Sequence, residues 1–273
     1  MEKINFIFFG TPNVASETLT LLVEGGYTPS LIVTSPDRPS GRGMHMTSTQ
    51  VAVWAETHNI PCLKPEKLDI EFIDNLRKYN SDLFIVVAYG KILPQTLIDL
   101  PELGTFNIHY SLLPKYRGAS PVEQALLNGD TITGVTIQQM AFKLDSGAIL
   151  AQQEALISLT DTKETLRGKL IEIGAELLVS LLPKIQSKEI TPSAQDESKA
   201  THCSKIKKED GQIDPSGDAH INYNKYRAFE GWPGVYFFKD NKRIKITKAR
   251  LENEQFIIER VVPEGKKETD YKN

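Results

Sequence analysis

The chain has 273 residues, of which 40% are hydrophobic and 25% charged, and its formal net charge is −3. These values predict a globular protein, most simply of two domains, and exclude a chain that is basic over its whole surface. The charge is uneven, because residues 201–273 carry 15 Lys/Arg and 12 Asp/Glu whereas residues 1–200 carry 17 and 23. The excess of +3 in the second part favours a polyanionic partner, although a solvated basic surface is the commoner cause.

The cysteines and histidines indicate neither a disulfide framework nor a metal site. Cys62 and Cys203 are far apart in the chain, and His58, His202 and His220 are isolated. The N-terminus has none of the regions of a signal peptide, and no apolar stretch approaches membrane-spanning length. We therefore expect a cytoplasmic protein in a reducing compartment, with no bound metal and no membrane partner.

The first 109 residues alternate buried strands with helices. The predicted strands are residues 4–9, 30–34, a short one near Cys62, 83–88 and 105–109. The predicted helices begin after Thr11, as N-cap, with Pro12 as first helical residue, at Gln50, and after the N-cap Asp69. A long loop, residues 35–44, follows the second strand. This order predicts an α/β fold with an open, doubly wound, mainly parallel sheet that has helices on both faces.

The second half has a different pattern. Strands are predicted at residues 134–139 and 149–156, and a long helix at 162–185 with Thr160 or Asp161 as its cap. Residues 187–200 are polar and have the composition of a linker. Beyond it, a helix at 223–229 precedes three strands, 235–238, 243–249 and 255–262, with Asp240-Asn241 as a hairpin turn. We expect a catalytic domain at residues 1–187, a linker at 188–203 and a small β-rich domain at 204–273.

Polar side chains follow two of the predicted sheet strands. Asn107 and His109 are two residues apart on a strand, so their side chains leave on the same face. Asp145 lies in the turn 144–147, after the next strand, and can approach His109 if the two strands are neighbours. Each residue also has a simpler interpretation: His109 as a strand cap, Asn107 as a turn residue and Asp145 as an Asx-turn.

An imidazole, a carboxamide and a carboxylate together suit acyl transfer to an amine. Preorganised donors stabilise the oxyanion, and a positioned base or acid moves the proton. Three other chemistries are disfavoured by their missing motifs. The chain has no Gly-x-Gly-x-x-Gly dinucleotide fingerprint, no P-loop and no Gly-x-Ser-x-Gly elbow.

Several stretches resemble the folate-dependent formyltransferases. They are the runs that start at Phe9 (FGTP), Pro36 (PDRPSGRG), Val87 (VAYGKILP), Asn107 (NIHYSLLPKYRG), Gly134 (GVTI) and Leu144 (LDSG). Later stretches at Gln195, Arg227 and Trp232 agree as well. The resemblance covers almost the whole chain. The Pro36 run resembles most closely the branch of the family that acts on initiator methionyl-tRNA.

The resemblance implies a formyl donor, an acceptor and a set of site residues. The donor would be 10-formyltetrahydrofolate and the acceptor the α-amino group of methionine on initiator tRNA. Asn107 and His109 would hold the formyl oxygen, and Asp145 would orient His109 and help to move the proton. Residues expected to line the folate cleft are Val87, Ala88, Tyr89, Gly90, Ile92, Leu93, Ser111, Leu112, Leu113 and Pro114. In the loop, Arg42, flanked by Gly41 and Gly43, would reach the acceptor end of the tRNA.

The chain departs from the family pattern in two places. Residues 44–50 lack the basic pair and the proline that the family commonly has there. Only about 70 residues follow the linker, so we expect an abbreviated oligonucleotide-binding (OB) barrel, shortened internally because residues 262–267 resemble the family's ending. Two other functions stay open: formyl transfer to a small amine, such as a nucleotide-linked amino sugar, and folate or RNA binding without turnover. A monomer is expected, since no association helix is evident.

Overall fold

A computed structural model describes residues 4–40 and 44–272, which contain fifteen strands and seven α-helices. The strands are β1 (Phe6–Gly10), β2 (Leu31–Val33), β3 (Arg38–Ser40), β4 (His45–Thr47), β5 (Cys62–Leu63), β6 (Leu83–Val87), β7 (Thr105–His109), β8 (Arg117–Gly118), β9 (Ile132–Gln139), β10 (Ile149–Leu156), β11 (His202–Cys203), β12 (Val235–Lys239), β13 (Lys242–Glu252), β14 (Gln255–Pro263) and β15 (Thr269–Asp270). The helices are α1 (Asn13–Glu24), α2 (Gln50–Thr57), α3 (Ile70–Arg77), α4 (Gln95–Ile98), α5 (Pro121–Leu127), α6 (Lys163–Gln186) and α7 (Ala219–Ala228). None of the helices in these ranges combines the length and apolarity needed to cross a bilayer.

A seven-stranded sheet in the order β10-β9-β7-β6-β1-β2-β5 forms the centre of the fold. Its strands β5, β2, β1, β6 and β7 pair in parallel, and β9 pairs antiparallel to β7. Strands β1 and β6 are buried along their whole length, as their continuous apolar runs require in a sheet that is covered on both sides. The predicted open, mainly parallel α/β sheet is confirmed.

Helices cover both faces of this sheet. On one face, Ile73 and Leu76 of α3 belong to the same buried cluster as Phe84 and Val86 of β6. On the other face, a Cβ added at Gly174 of α6 would lie 3.0 Å from the Ile108 side chain and 3.2 Å from that of Val135. Glycine at this position therefore lets α6 approach β7 and β9 closely.

The C-terminal strands form a separate antiparallel sheet in the order β12-β13-β14-β15. The predicted hairpin turn is confirmed: Asp240 and Asn241, which join β12 to β13, have φ values of 50° and 59°. Two successive positive φ values are typical of the type I′ turn that matches strand twist. The expected small β-rich domain is therefore confirmed, and among the described residues its sheet is an open four-stranded meander in which no pairing joins β12 to β15.

Three local predictions were wrong. Thr11 does not cap α1, whose N-cap is Pro12, because the Thr11 hydroxyl instead donates to the carbonyl oxygen of Tyr89 at 2.8 Å. The cap of α6 is Thr162 rather than Thr160 or Asp161, since its Oγ1 accepts from the backbone N of Thr165 and the Thr165 hydroxyl accepts in return.

The third correction concerns the long loop after β2. Within residues 35–44 and just beyond, β3 and β4 pair antiparallel, with Arg38 opposite Thr47 and Pro39 opposite Met46. Pro39 is compatible with this ribbon because both strands of a two-stranded ribbon are edge strands, and proline within sheets is confined mainly to edge strands.

The contacts group the chain into two compact units that alternate along the sequence. The first comprises residues 1–115, 134–154 and 169–200, and the second residues 116–133, 155–168 and 201–273. The second unit therefore includes α5 and the start of α6 as well as the C-terminal sheet, and within it α7 packs against α5, β13 and β14. The sequence predicts contiguous domains instead, and its limits of 1–187, 188–203 and 204–273 stay a prediction.

Candidate active site

Four polar side chains lie on one face of the β7–β9 pair. Asn107 is opposite Gln138 and His109 is opposite Thr136 in the antiparallel register. Side chains of directly opposed residues share a face, with Cβ atoms about 5 Å apart. His109 and Gln138 are buried, with exposed fractions of 5% and 2%, whereas Asn107 is half-buried. A carboxamide, an imidazole, a hydroxyl and a second carboxamide therefore share one patch of an otherwise apolar sheet.

The turn after β9 brings a carboxylate to this patch. The Nδ1 atom of His109 lies 3.7 Å from Oδ1 of Asp145, and their side chains are only 6% and 11% exposed. This distance is longer than a hydrogen bond, but catalytic contacts of unliganded enzymes often tighten when substrate binds. The sequence predicts that Asp145 can approach His109 if their strands are neighbours. Strands β7 and β9 are adjacent in the sheet, and the two side chains do approach each other.

The backbone of this turn is constrained at two residues. Asp145 has a φ of 48°, which is uncommon for a residue with a side chain. A Cβ added at Gly147 would lie 1.6 Å from the carbonyl oxygen of Gln139, so only glycine fits there. The position of the Asp145 carboxylate is therefore determined by a turn that the sequence Asp-Ser-Gly is able to form.

Two glutamines hold the turn. The Nε2 atom of Gln195 donates to the carbonyl oxygens of Asp145 at 2.9 Å and of Gly147 at 2.7 Å. The Nε2 atom of Gln138 donates to Oδ1 of Asp145 at 3.0 Å, the same oxygen that faces His109. The first glutamine fixes the backbone and the second fixes the carboxylate.

The loop at residues 111–114 is attached to the same strands. Thr136 Oγ1 donates to the carbonyl oxygen of Ser111 at 2.6 Å and accepts from the backbone N of Leu113 at 3.0 Å. Gln152 adds bonds from its Nε2 atom to the carbonyl oxygen of Leu113 and to Thr136 Oγ1, both at 2.8 Å. Thr136, which is opposite His109 in register, thus attaches the 111–114 loop to strand β9 through its hydroxyl.

A second loop, residues 88–94, leaves the neighbouring strand β6. Because β6 and β7 are parallel and adjacent, both loops start at the carboxyl edge of the sheet, where open α/β sheets bind ligands. Ala88 and Gly90 have φ values of 47° and 82° and are exposed, whereas Tyr89 between them is buried. Burial raises the pKa of the Tyr89 phenol to about 12, and its hydroxyl has no hydrogen-bond partner in the described residues.

The residues predicted to line the folate cleft all lie on these two strand-end segments. Val87 ends β6, Ile92 is 79% exposed and Leu93 is buried in the apolar cluster beside α3. Leu112 and Pro114 are half-buried in the other loop. The residues predicted to contact tRNA, Gly41, Arg42 and Gly43, lie outside the described residues.

The chain is similar to known proteins over most of its length. The formyl transferase family matches residues 2–182, and its C-terminal domain matches residues 205–270. A protein of Citrifermentans bemidjiense named methionyl-tRNA formyltransferase is 40% identical over 251 residues, which cover 92% of this chain and 79% of the relative. The chain belongs to the formyl transferase family.

Two solved structures share the fold of this formyl transferase. One is an N-formyltransferase from Helicobacter canadensis, described in complex with folinic acid and dTDP-3-aminofucose. It has a TM-score of 0.69 and 19% identity and covers 92% of this chain and 89% of its own. The other is a methionyl-tRNA formyltransferase from Clostridium thermocellum, with a TM-score of 0.64, 16% identity and coverage of 95% and 98%. At these identities the likeness establishes the fold alone.

Sequence analysis missed three residues that shape the site of this formyl transferase: Gln138, Thr136 and Gln195. Gln195 lies in the segment assigned as a linker, although the stretch that starts there resembles the family. Gln138 and Thr136 alternate with apolar residues on β9 and face the same side as Asn107 and His109. A polar residue at every second position of a buried strand was the available signal for them.

Proposed function

We propose that this formyl transferase moves the formyl group of 10-formyltetrahydrofolate to the α-amino group of methionine on initiator methionyl-tRNA. The observation that carries the chemistry is the shared patch of Asn107, His109 and Asp145 at the carboxyl edge of the sheet. The acceptor is proposed from the relatives that carry the name methionyl-tRNA formyltransferase at about 40% identity over most of this chain. The reaction forms one N–C bond, breaks another and moves one proton.

Asn107 is proposed to bind the formyl oxygen. Its carboxamide makes no hydrogen bond with the described residues, so its N–H groups are available to a carbonyl oxygen. When the amine attacks, negative charge develops on that oxygen, and a fixed donor in a water-poor site then stabilises it. Removing one such donor typically lowers the rate about 10²–10³-fold.

His109 is proposed to donate the second hydrogen bond to the formyl oxygen, and Asp145 is proposed to accept the proton. The imidazole ring of His109 donates to the developing oxyanion, and the carboxylate of Asp145, 3.7 Å from Nδ1, orients the ring. Asp145 also offers an acceptor for the proton that the attacking nitrogen loses. A positioned acid or base of this kind contributes about 10²–10⁴-fold.

The folate donor is proposed to lie along residues 87–93 and 111–114. It supplies a formyl group on a nitrogen that can leave once it is protonated. Three features of the chain support this placement: both loops start at the ligand-binding edge of the sheet, the 111–114 loop is fixed by Thr136, and the Asn107 carboxamide beside them has no protein partner. In the 87–93 segment, Ala88 and Gly90 are exposed.

The C-terminal sheet is proposed to contact the tRNA backbone. Three exposed lysines, Lys239, Lys242 and Lys245, lie at the β12–β13 hairpin, where Lys239 is opposite Lys242. By contrast, Lys248 and Arg250 on β13 are both paired with Glu259. Contacts between these three lysines and tRNA phosphates would make the affinity for tRNA fall steeply as the salt concentration rises. Arg42, in the loop after β2, is proposed to reach the acceptor end.

The test is formylation by the purified protein with 10-formyltetrahydrofolate, and three acceptors are compared: methionyl-tRNA, free methionine and a nucleotide-linked amino sugar. We expect transfer to methionyl-tRNA, a KM for tRNA that rises steeply between 50 and 200 mM salt, and a loss of about 10³-fold in kcat for His109→Ala. Transfer to the amino sugar alone would replace the acceptor and keep the chemistry. Equal rates for wild type and His109→Ala would refute the mechanism.

We also propose that the protein is a cytoplasmic monomer, as expected from its cysteine content and lack of an evident association helix. Size-exclusion chromatography with light scattering measures the mass directly. A mass near 30.6 kDa supports the monomer, and twice that value would overturn it.

A further inference from the structure

Gln138 is a buried polar residue at the centre of the site. Its side chain is on the same face of the sheet as Asn107, directly opposite it in register, and only 2% of the residue is exposed. An apolar side chain of the same length would fill this space without any cost of burying an amide. Because buried polar groups are normally hydrogen-bonded, both the nitrogen and the oxygen of this carboxamide are expected to have a partner.

One end has a partner and the other has none. The Nε2 atom donates to Oδ1 of Asp145 at 3.0 Å, and this orientation of the amide is required because a carboxylate only accepts. The Oε1 atom is buried and has no hydrogen-bond partner in the described residues. The Gln138 carboxamide is therefore bound to Asp145, the group assigned to the proton, and lies on the same strand face as Asn107, the group assigned to the formyl oxygen.

We propose that Gln138 is a substrate-binding residue whose Oε1 atom accepts a hydrogen bond from an N–H of the attacking amine. This inference rests on the proposed function. A primary amine has two N–H groups and one lone pair, so acceptors on its N–H groups turn the lone pair towards the formyl carbon. With Asp145 as one acceptor and Gln138 as the other, both N–H groups are satisfied and the nucleophile has one orientation.

Gln138 takes no part in the proton count of the transfer. The bond from the amine nitrogen to the formyl carbon forms as the bond from that carbon to the donor nitrogen breaks. One proton leaves the amine nitrogen and one is gained by the donor nitrogen. Gln138 keeps both its protons and acts only by orienting the amine and by holding Asp145.

The experiment is a cycle that combines two enzymes with two acceptors. Wild type and Gln138→Met are each assayed with methionyl-tRNA and with N-methylmethionyl-tRNA, whose amine has lost one N–H. Methionine has nearly the length of glutamine and no hydrogen-bonding oxygen. Gln139→Met is the matched control, because Gln139 is the next residue of the same strand and its side chain is exposed on the opposite face.

We expect Gln138→Met to lower kcat/KM for methionyl-tRNA about 10-fold while the KM for the folate donor changes less than twofold. The preference for the primary amine over the N-methyl amine should fall several-fold in Gln138→Met and not in Gln139→Met. Such coupling between the side chain and the substrate N–H is not produced by a residue that only supports the fold. The unchanged donor KM also shows that the variant is folded, and Gln138→Leu provides a second variant with the same expectation.

The failures are distinguishable. A wild type that formylates methionyl-tRNA, with the same primary-amine preference in both Gln138 variants, would overturn this inference alone and leave Gln138 as a support for Asp145. Absence of transfer to methionyl-tRNA by the wild type would overturn the proposed function and this inference with it.

Discussion

Replacing Gln195 with alanine tests whether the hydrogen bonds from this side chain, which lies outside the sheet strands, keep the Asp145 turn in its active conformation. Gln195 makes two hydrogen bonds to that turn, at 2.9 and 2.7 Å, and each contributes about 1 kcal/mol. Asp145 has a φ of 48°, so the turn has an intrinsic tendency to relax once they are lost. About 2 kcal/mol of lost positioning corresponds to a fall of about 30-fold in kcat/KM for formyl transfer.

The assay is steady-state formylation beside thermal unfolding. If Gln195 acts through the turn, kcat falls whereas the melting temperature changes by only a few degrees, because the segment 190–200 has few buried residues. Gln153→Ala is the control, since Gln153 is an exposed glutamine on β10. A Gln195→Ala variant with activity within threefold of wild type would refute the argument that this clamp positions Asp145.

Three other substitutions test the turn, the 111–114 loop and the buried Tyr89 hydroxyl. Gly147→Ala should lower kcat/KM more than Gln195→Ala does, because its Cβ would lie 1.6 Å from the carbonyl oxygen of Gln139; retained activity would show that the turn can shift freely. Thr136→Val removes the bonds from the hydroxyl to the 111–114 loop and should raise the KM for the folate donor about 5- to 10-fold, with a smaller change for the acceptor. Tyr89→Phe removes an unpartnered buried hydroxyl and should raise stability by about 1 kcal/mol in urea unfolding. Burial raises the pKa of Tyr89 to about 12 from about 10 in the unfolded chain, so its contribution is complete below pH 10 and lost as the pH rises towards 12; the phenylalanine variant should lack this part of the alkaline decline.

The sheet could be predicted from the sequence because its strands are short apolar runs bounded by turn residues. β7 is predicted with its correct limits, and α3 with its cap at Asp69, whose side chain accepts from the N of Phe72. These features depend on neighbours within a few residues. Thr11 was misassigned because its hydroxyl bonds to a residue 78 positions away, which no local pattern contains.

The same distinction explains which part of the site was predicted. Asn107 and His109 could be placed on one face by spacing alone, since a strand alternates sides every residue. Gln195 acts across about 50 residues of sequence, from a segment whose composition is that of a linker. Its two acceptors are backbone carbonyl oxygens. Every residue has one, so the sequence does not indicate which carbonyls Gln195 binds.

The polar groups of the site divide into those that are satisfied by the protein and those that are not. Thr136 uses its hydroxyl both as donor and as acceptor, and Gln195 donates to two carbonyls, so both belong to the support of the site. In contrast, the carboxamide of Asn107 and the Oε1 atom of Gln138 have no hydrogen-bond partner among the described residues, although the two residues are opposite in register on the same face of the sheet. Burying the Gln138 oxygen without a partner is unfavourable in folding, and a ligand that donates to it would offset this cost. One unsatisfied donor and one unsatisfied acceptor are what a carbonyl oxygen and an amine N–H require, and these are the two groups that meet in formyl transfer.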